Sequence, residues 1–360
     1  MPDGPPAARR RRRRSWLAPV AGVVAVAMVL AGQLVKVPYY VLSPGSATAV
    51  EPLVKVDGAP SFQHRGQVLF TTVSLLGDAN VLAVLRGWLS RDDAVVSQRD
   101  ITGGTPQKTY NQENVQAMTD SKLTATKVAL ERLGYPVTAH GSGVAVVQVT
   151  PQGPADGKLR TGDVITAVDG MAVTLAEQLV SAVQRHKPGD TVVFTIGRAS
   201  GTQTVDVPAG DDGTGRPRVG IGLQTKDLRY DSTVKVSIDT GQVSGPSAGL
   251  AFTLALIDDL SAGDLTGGRK VAVTGTIDDQ GRVGPVGGAA QKAVTARRAG
   301  AVAFLVPPDE EHDAKSHAGS MRIITVRTLD DALAALQQLG GSTPGTATTT
   351  TATTAPAGRH

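Results

Sequence analysis

The sequence of 360 residues contains no cysteine and few aromatic side chains, with five Phe, five Tyr and two Trp. The absence of cysteine excludes a disulfide framework, a thiol nucleophile and a Cys-ligated zinc or iron–sulfur site. The hydrophobic fraction of 41% nevertheless suffices for real cores, and the length suits roughly two domains. Any nucleophilic chemistry must therefore use a side chain other than cysteine.

Excess positive charge is also absent outside one short run. The first fourteen residues contain six arginines, Arg9 to Arg14, and one acidic residue, Asp3, so their net charge is +5. The net charge of the rest of the chain is −1. A basic nucleic-acid-binding protein spreads its Lys and Arg over a folded face. The net charge of +4 therefore does not describe a binding surface, and we expect no nucleic-acid partner.

An uncharged segment follows the arginines. No residue from Trp16 to Val35 is charged, and a helix of this length spans roughly 30 Å, the thickness of a bilayer core. By the positive-inside rule the arginines mark the cytoplasmic side. We predict a cytoplasmic basic segment over residues 1–15, a single transmembrane helix over residues 16–37, and a location in the cell membrane with the rest of the chain extracytoplasmic.

This segment has two other interpretations, a cleaved signal peptide and a lipoprotein anchor. A cleaved signal peptide also starts with basic residues, but its apolar region has only about 7–15 residues and ends at a small-x-small site. The stretch from Ala27 to Ala31 offers no good site of that kind, and the apolar run continues beyond it. A secreted form cleaved after Ala31 stays open as an alternative, whereas a lipoprotein anchor would need a cysteine.

The rest of the chain predicts an α+β protein. Residues 38–130 include a strand over 67–73 and a helix over 118–133, and residues 216–340 form an α/β region of alternating strands and helices. Residues 341–360 consist almost entirely of Gly, Ser, Thr, Pro and Ala. Such a composition cannot bury a core, so we predict a disordered tail.

Residues 131–209 have the pattern of a separate small module. A strand, a turn, a second strand, an amphipathic helix and a β-hairpin follow one another. The run LRTGDVITAVDG, followed by the helix and GDTVVFTIGR, resembles a bacterial PDZ domain, although a generic small α+β domain is the alternative. The resemblance implies a groove for an extended peptide, often its hydrophobic C-terminus, with Leu133, Gly134 and Tyr135 as the predicted carboxylate-binding loop.

A Gly-Pro-Ser-Ala-Gly segment stands directly before an apolar helical run and comprises Gly245, Pro246, Ser247, Ala248 and Gly249. Pro and Ser at a helix start are ordinary capping residues, and that interpretation stays open from these residues alone. The position of Ser247 before a helix would also suit a catalytic nucleophile. Free backbone N–H groups and the positive end of the helix dipole would lie beside Ser247 Oγ and could stabilise an oxyanion.

A serine nucleophile needs a base. The five-residue separation of His312 and His317 is not the i,i+4 pair of a helical zinc site, so no metal site is predicted. Lys292 lies on a predicted helix among Ala, Val and Gly, where burial would lower its pKa and make a neutral amine accessible. A solvated surface lysine is the alternative.

Three blocks follow one another in the sequence: the Ser247 block, the run from Val271 to Gly275, and a Gly-Gly-x-x-x-Lys block that ends at Lys292. In this order, over about residues 220–339, they resemble the proteolytic domain of Lon, a Ser–Lys protease. The resemblance implies that Ser247 is the nucleophile, Lys292 the general base and Thr274 the hydroxyl that orients the lysine.

Two positions depart from the family pattern. Ser244 stands where the family usually has Asp, and Thr276 replaces a common Glu. These departures leave the dyad intact but put substrate handling and pKa tuning in doubt. Residues 66–73 and 118–134 resemble the opening strand and first helix of the same domain, so the PDZ module is either inserted in one Lon-type domain or precedes it.

No Gly-x-x-x-x-Gly-Lys-Ser/Thr motif occurs, so no ATP and no other cofactor are expected. The leading hypothesis is a membrane-anchored, ATP-independent serine endopeptidase that cleaves extracytoplasmic proteins or peptides, with the PDZ module recruiting or gating substrate. The alternative is a PDZ peptide-binding scaffold whose Lon-like domain is inactive. Because Lon domains assemble as rings, the resemblance also implies a homo-oligomer.

Overall fold

The computed structural model describes residues 17–198 and 201–342. The chain divides into two compact units: the first comprises the residues up to Gly134 together with those from Val236 onward, and the second comprises Tyr135–Lys235. Along the sequence, the second unit is inserted into the first. We call them the discontinuous unit and the inserted unit.

The α-helices of the described residues are α1 (Leu17–Leu34), α2 (Val81–Leu89), α3 (Gln98–Thr102), α4 (Gln107–Arg132), α5 (Ala176–Val183), α6 (Gly249–Asp259), α7 (Ala289–Arg298), α8 (Glu311–His317) and α9 (Leu329–Gln338). The strands are β1 (Tyr39–Ala49), β2 (Val54–Asp57), β3 (Gln67–Leu76), β4 (Ala94–Ser97), β5 (Val137–His140), β6 (Val144–Val149), β7 (Val164–Val168), β8 (Met171–Ala172), β9 (Thr191–Arg198), β10 (Gly201–Pro208), β11 (Gly210–Asp211), β12 (Pro217–Arg218), β13 (Ile221–Thr225), β14 (Arg229–Ser232), β15 (Lys235–Ile238), β16 (Lys270–Val273), β17 (Thr276–Ile277), β18 (Val283–Gly284), β19 (Ala303–Val306) and β20 (Arg322–Thr325).

A six-stranded sheet forms the centre of the discontinuous unit, in the order β20-β19-β16-β3-β1-β4. The first four strands of this order are parallel, and β1 pairs antiparallel with both β3 and β4. Neighbouring residues of β3 point to opposite faces, because side chains alternate along a strand. Phe70 contacts Phe252 of α6 with ring centroids 5.9 Å apart, whereas Leu69 packs with the alanines of α7. Helices α6 and α7 therefore cover opposite faces of the sheet.

This arrangement brings the predicted catalytic blocks to the end of one central strand. Strand β16 ends at Val273, and the chain continues into Thr274. Ser247 comes two residues before the first residue of α6, and Lys292 lies in the first turn of α7. The two helices approach from opposite faces, so their first residues meet around Thr274.

Helix α4 begins at Gln107 rather than at Met118, where hydrophobic periodicity placed the start of a helix. Its first turns carry mainly polar side chains, which a hydrophobic pattern cannot detect. Contacts between residues four apart occur there instead, such as the hydrogen bond from Gln107 Nε2 to Asn111 Oδ1 at 2.9 Å. The added turns matter for function, because they reach the segment that precedes Ser247.

The inserted unit is built on a sheet in the order β10-β9-β7-β6-β13, with β8 paired to β7. Its core includes Ile165, Leu179 and Phe194, which are almost fully buried. The unit is longer than the module predicted over residues 131–209, because two later strands complete it. Strand β13 pairs antiparallel with β6, and β14 pairs antiparallel with β5.

The two ends of the chain bear on predictions made from composition. The predicted transmembrane segment overlaps α1, and residues 1–16 lie outside the described part of the chain. Among the described helices, none combines the length and apolar character needed to cross a bilayer.

The tail predicted from residue 341 needs a correction: the N–H groups of Gly341 and Ser342 donate to carbonyls at 3.0 and 2.8 Å, so both residues belong to the folded unit. The rest of that predicted tail lies outside the described residues.

Candidate active site

Ser247 lies just outside helix α6 and does not cap it. The N-cap residue is Ala248, and no side chain accepts a hydrogen bond at this helix end. Ser247 is half-buried and lines a cleft of about 820 Å³ whose lining residues all belong to the discontinuous unit. The interpretation of Ser247 as an ordinary capping residue is therefore wrong, because its hydroxyl makes no hydrogen bond at the start of α6.

Helix α4 holds the segment that precedes Ser247. Gly245 has a φ of 95°, a conformation that favours glycine, and its N–H donates to the Asn114 carbonyl at 2.9 Å. Ser121 Oγ donates to the Pro246 carbonyl at 3.1 Å. Asn114 and Ser121 are about two helical turns apart on one face, so α4 fixes two consecutive residues of this segment.

The end of β16 binds the backbone of the serine. The Ser247 carbonyl oxygen accepts hydrogen bonds from Gly275 N–H at 2.9 Å and from Thr274 Oγ1 at 3.2 Å. Lys292 Nζ in turn donates to Thr274 Oγ1 at 3.1 Å. The buried Thr274 hydroxyl thus receives one hydrogen bond from the lysine and donates its own proton to the serine backbone. This hydrogen bond is the contact that an orienting role of Thr274 needs, and the role itself stays a prediction.

Gly275 is required by its surroundings. Its φ of 153° lies in the region that L side chains rarely adopt, and a Cβ atom there would lie 2.7 Å from Val283 Cγ1. Only a residue without a side chain lets its N–H approach the Ser247 carbonyl in this way.

Ser247 and Lys292 line the same cleft, but within the described residues no direct hydrogen bond joins Ser247 Oγ to Lys292 Nζ. Hydrogen bonds between catalytic groups are often long before substrate binds and shorten in the Michaelis complex. The arrangement therefore positions the amine through Thr274 and leaves its approach to the serine hydroxyl to the substrate-bound state.

Lys292 is buried, with 2% of its surface exposed, so the interpretation as a solvated surface lysine is wrong. Burial lowers the pKa of its amine from 10.5 to about 8, and the negative charge of Glu310 opposes that shift. With this pKa about one lysine in ten is neutral at pH 7, against roughly one in 2,500 for an unperturbed lysine. A base that is neutral this often can accept the serine proton.

Glu310 influences the site, although sequence patterns did not identify it. Its Oε1 accepts the Val286 N–H at 3.2 Å and so holds the loop that leads to α7. Burial raises the pKa of Glu310, and the charge of Lys292 opposes that shift. Thr276, at the position where the family commonly has Glu, pairs with Gly284 in a short hairpin instead. A negative charge therefore does raise the pKa of the lysine, but it comes from Glu310, 18 residues after Lys292, and not from position 276.

Two backbone donors are available beside the nucleophile. Among the described residues, no backbone carbonyl accepts the N–H groups of Ser247 and Ala248, whereas Leu250 N–H already donates to the Gly275 carbonyl at 3.1 Å. The first two groups lie at the positive end of α6. They are the candidates for binding the oxyanion of an acyl-transfer intermediate.

The cleft walls combine apolar and polar side chains and are almost uncharged. Apart from Lys292, the described residues that line the cleft are apolar, hydroxyl-bearing, amide-bearing or Gly and Pro. Tyr40 OH and Thr71 Oγ1 are buried in this wall, and neither has a hydrogen-bond partner. Because burying an unpaired charge is costly, this lining suits an uncharged segment that can supply hydrogen bonds.

The three residues predicted to bind a peptide carboxylate lie directly after α4. Leu133 ends α4 with 2% of its surface exposed, and Gly134 follows with a φ of 85°; both belong to the discontinuous unit. Tyr135 starts the inserted unit and is half-buried. The Leu133 side chain packs at the helix end, and the binding of a peptide carboxylate by these three residues stays a prediction.

The role of Thr274 leads to a first prediction. Thr274→Val keeps the shape but removes the acceptor for Lys292 and the donor to Ser247, so kcat should fall by roughly 10²-fold through misplacement of the amine. The KM should change little, because the residue is buried behind the site. Thr274→Ser keeps the hydroxyl and should recover most of kcat. Equal activity in Thr274→Val and the unmodified protein would show that Thr274 only packs the core.

Comparison with known proteins agrees with this geometry. Residues 131–209 match the family model of the PDZ domain, and residues 219–338 match that of the Lon protease (S16) C-terminal proteolytic domain. Lon protease 1 from Bacillus subtilis is 28% identical over 169 residues, which are 46% of this chain and 21% of that protein. Lon protease 1 from Sorangium cellulosum is 36% identical over 119 residues, 32% of this chain and 14% of that protein. The chain thus spans about a fifth or less of the length of these relatives.

Among solved structures, the PDZ domain of an SdrC-like protein from Listeria monocytogenes is 31% identical, with a TM-score of 0.22, and the match covers 23% of this chain and 87% of that one. The two family matches lie on different parts of the sequence, and the second contains Ser247, Thr274 and Lys292. The chain therefore matches a PDZ domain and a Lon-type proteolytic domain over separate regions, and the second match supports a serine-type peptidase.

Proposed function

We propose that this chain is an ATP-independent serine endopeptidase, anchored in the membrane, that hydrolyses extracytoplasmic proteins or peptides. The observation that carries the proposal is the pair of hydrogen bonds from Lys292 Nζ to Thr274 Oγ1 and on to the Ser247 carbonyl, at 3.1 and 3.2 Å. These hydrogen bonds hold a buried lysine of lowered pKa and a serine that caps no helix at the same cleft.

In the proposed reaction the neutral amine of Lys292 accepts the proton of Ser247 Oγ while this oxygen attacks the scissile carbonyl. The N–H groups of Ser247 and Ala248 stabilise the oxyanion. Lys292 then passes the proton to the leaving amine, so the C–N bond breaks and an acyl-serine ester remains. Water, deprotonated by the same lysine, hydrolyses this ester and restores the serine hydroxyl.

The experiment that tests this function uses a fluorophosphonate probe and casein with no nucleotide present. We expect the probe to form a covalent adduct at Ser247, located by mass spectrometry, and casein to be cleaved at a rate that added ATP does not change. Cleavage sites should lie mainly between uncharged residues, as the cleft lining requires. No adduct at Ser247 together with no cleavage would favour the scaffold alternative.

For the inserted unit we propose that a peptide binds along the edge of β13 rather than at residues 133–135. Strand β13 ends the sheet and lies beside α5, where Ala176 N–H donates to Thr225 Oγ1 at 2.9 Å. An edge strand can pair with an added extended peptide, which is the binding mode of PDZ domains. Gly220, with a φ of 73°, lies directly before β13, and we propose its backbone as the group that receives a terminal carboxylate.

A matched pair of ligands tests this binding mode. A peptide with a free hydrophobic C-terminus should bind the full chain, whereas the same peptide with an amidated C-terminus should bind at least roughly tenfold more weakly, because a charge-assisted hydrogen bond is lost. Fluorescence anisotropy measures both affinities. Equal affinity for the two peptides would exclude recognition of a carboxylate.

The topology and assembly belong to the same proposal. The arginine run before α1 and the absence of charged residues in α1 support an uncleaved anchor with the catalytic unit outside. N-terminal sequencing of the mature protein distinguishes it from the form cleaved after Ala31. The resemblance to Lon supports a ring of copies, and the mass of the detergent-solubilised particle measures their number.

A further inference from the structure

Helix α2 exposes three large apolar side chains that nothing in the catalytic mechanism uses. Leu85, Trp88 and Leu89 are 45%, 66% and 86% exposed, and their spacing places them on one face of the helix. An adjoining face is tightly packed: Val84 is buried, and a Cβ on Gly87 would lie 2.8 Å from Val95 Cγ2. The buried face fixes the rotation of α2, so the apolar face is held outward. We call Leu85, Trp88 and Leu89 the α2 patch.

The α2 patch starts beside the end of α1. Val81 N–H donates to the Val35 carbonyl at 3.2 Å, and Val37 N–H donates to the Ala79 carbonyl at 2.9 Å. A Cβ on Gly32 would lie 3.3 Å from Leu82 Cγ, so the two helices are in close contact where α1 ends. The position of α2 relative to α1 is therefore set by hydrogen bonds and packing within one unit.

Apolar exposure continues from α1 onto this surface. Leu30, Leu34 and Val35 are 55%, 83% and 52% exposed, and α1 contains no charged residue. The proposed membrane anchor places α1 in lipid, which would surround this helix, whereas a protein partner would cover a single face. The medium that surrounds α1 thus reaches the level of α2, where a tryptophan stands among leucines. Tryptophan is enriched at the boundary between lipid and water, and an apolar helix face can lie in that boundary.

We propose that the α2 patch docks into the lipid–water interface of the bilayer and so fixes the orientation of the catalytic unit at the membrane surface. The proposal rests on the membrane anchor of the proposed function. The bilayer is chosen over a second copy of the chain because the exposed apolar surface is continuous with α1.

The two tryptophans of the chain, Trp16 and Trp88, allow a direct test. In the full chain carrying Trp16→Phe, Trp88 is the sole tryptophan, and the protein is reconstituted into phosphatidylcholine vesicles. We expect its emission to shift to the blue relative to detergent-free refolded protein. We also expect strong quenching when the lipids are brominated near the headgroup and weak quenching when they are brominated near the chain end.

The reciprocal variant separates this inference from the anchor itself. In Trp88→Phe, Trp16 reports on the anchor, and its quenching by brominated lipid shows that the anchor has inserted. Quenching of Trp16 without quenching of Trp88 overturns the docking of α2 alone. Absence of quenching at both positions overturns the anchor, and the docking with it.

Substitutions within the patch provide the matched control. Leu85→Gln with Leu89→Gln, added to Trp16→Phe, should reduce the quenching of Trp88, whereas Val302→Gln, at an exposed valine elsewhere, should leave it unchanged. If Trp88 is shielded from lipid but the apparent mass rises with protein concentration, and Leu89→Gln abolishes that rise, the patch binds a second copy. That outcome contradicts the proposal.

Discussion

Ser247→Ala is expected to lower kcat/KM for a casein-derived peptide by about 10⁴-fold or more, because removal of a nucleophile abolishes the acyl-enzyme route. Only stabilisation of the transition state by the N–H groups of Ser247 and Ala248 would remain. The KM should change much less than kcat, since the serine hydroxyl contributes mainly to the chemical step. Steady-state hydrolysis of one fluorogenic peptide by both proteins measures the ratio.

The fold should survive this change. Thr274 Oγ1 and Gly275 N–H bond the carbonyl of Ser247, not its side chain, and no side chain caps α6. The free energy of unfolding should therefore stay within about 0.5 kcal/mol of the original. Ser320→Ala, at an exposed turn serine, is the matched control and should leave both activity and stability unchanged. Retention of more than a small fraction of activity in Ser247→Ala would contradict the nucleophile assignment.

Lys292→Met is expected to lose about 10³-fold or more in kcat while making the protein more stable at neutral pH. Methionine fills a similar volume and has no charge to bury. The difference between a pKa of 10.5 in the unfolded chain and about 8 in the folded one corresponds to about 3 kcal/mol, which is an upper bound for the gain. A residue whose replacement lowers activity but raises stability is retained for function although it destabilises the fold.

The sign of the pH dependence follows from proton binding. Between about pH 8 and 10.5 the unfolded chain binds the Lys292 proton and the folded chain does not, so wild-type stability rises with pH over this window. Below about pH 8 the full free-energy cost of burying the charged Lys292 amine is present. The stability gain of Lys292→Met should thus be largest below pH 8 and vanish towards pH 10.5.

Stability must be compared as the difference between variant and wild type at each pH. Burial raises the pKa of Glu51 and Asp259 to about 7 and that of Asp258 to about 6, which makes wild-type stability fall as pH rises through that range. These carboxyl groups are common to both proteins, so their contribution cancels in the difference. Lys270→Met, at an exposed lysine, is the control and should show no pH-dependent gain. A gain equal in both variants would contradict a buried charge penalty at Lys292.

The same pKa sets the rate profile of the wild-type enzyme. Below about pH 8, kcat/KM should rise roughly tenfold for each pH unit and then level off, because only the neutral amine is active. Glu310→Gln keeps the oxygen that accepts the Val286 N–H but removes the negative charge. The midpoint of the kcat/KM profile should then move to lower pH, because the negative charge of Glu310 no longer raises the Lys292 pKa. A midpoint that stays in place would show that Glu310 acts through the loop alone.

Sequence patterns were informative where a block of residues acts locally. The Gly-Pro-Ser-Ala-Gly segment and the Ala-rich surroundings of Lys292 are each a continuous run of residues. Both lie at helix starts that line one cleft. The polar first turns of α4 escaped detection because helical periodicity depends on apolar residues. Asn114 and Ser121 carry no signal of their own in the sequence. They act only because α4 packs beside the segment before Ser247.

The sequence by itself determined the chemistry available to this protein: no thiol, a serine before a helix, a lysine among alanines, and basic charge confined to one end. Tertiary structure decided which of these groups meet. Parallel pairing in the central sheet brings the end of β16 between α6 and α7, so that Thr274 joins Lys292 to the Ser247 backbone. Strand pairing likewise brings β13 to the edge of the inserted sheet. Such long-range contacts depend on strand order and helix packing, which a local pattern of residues does not encode.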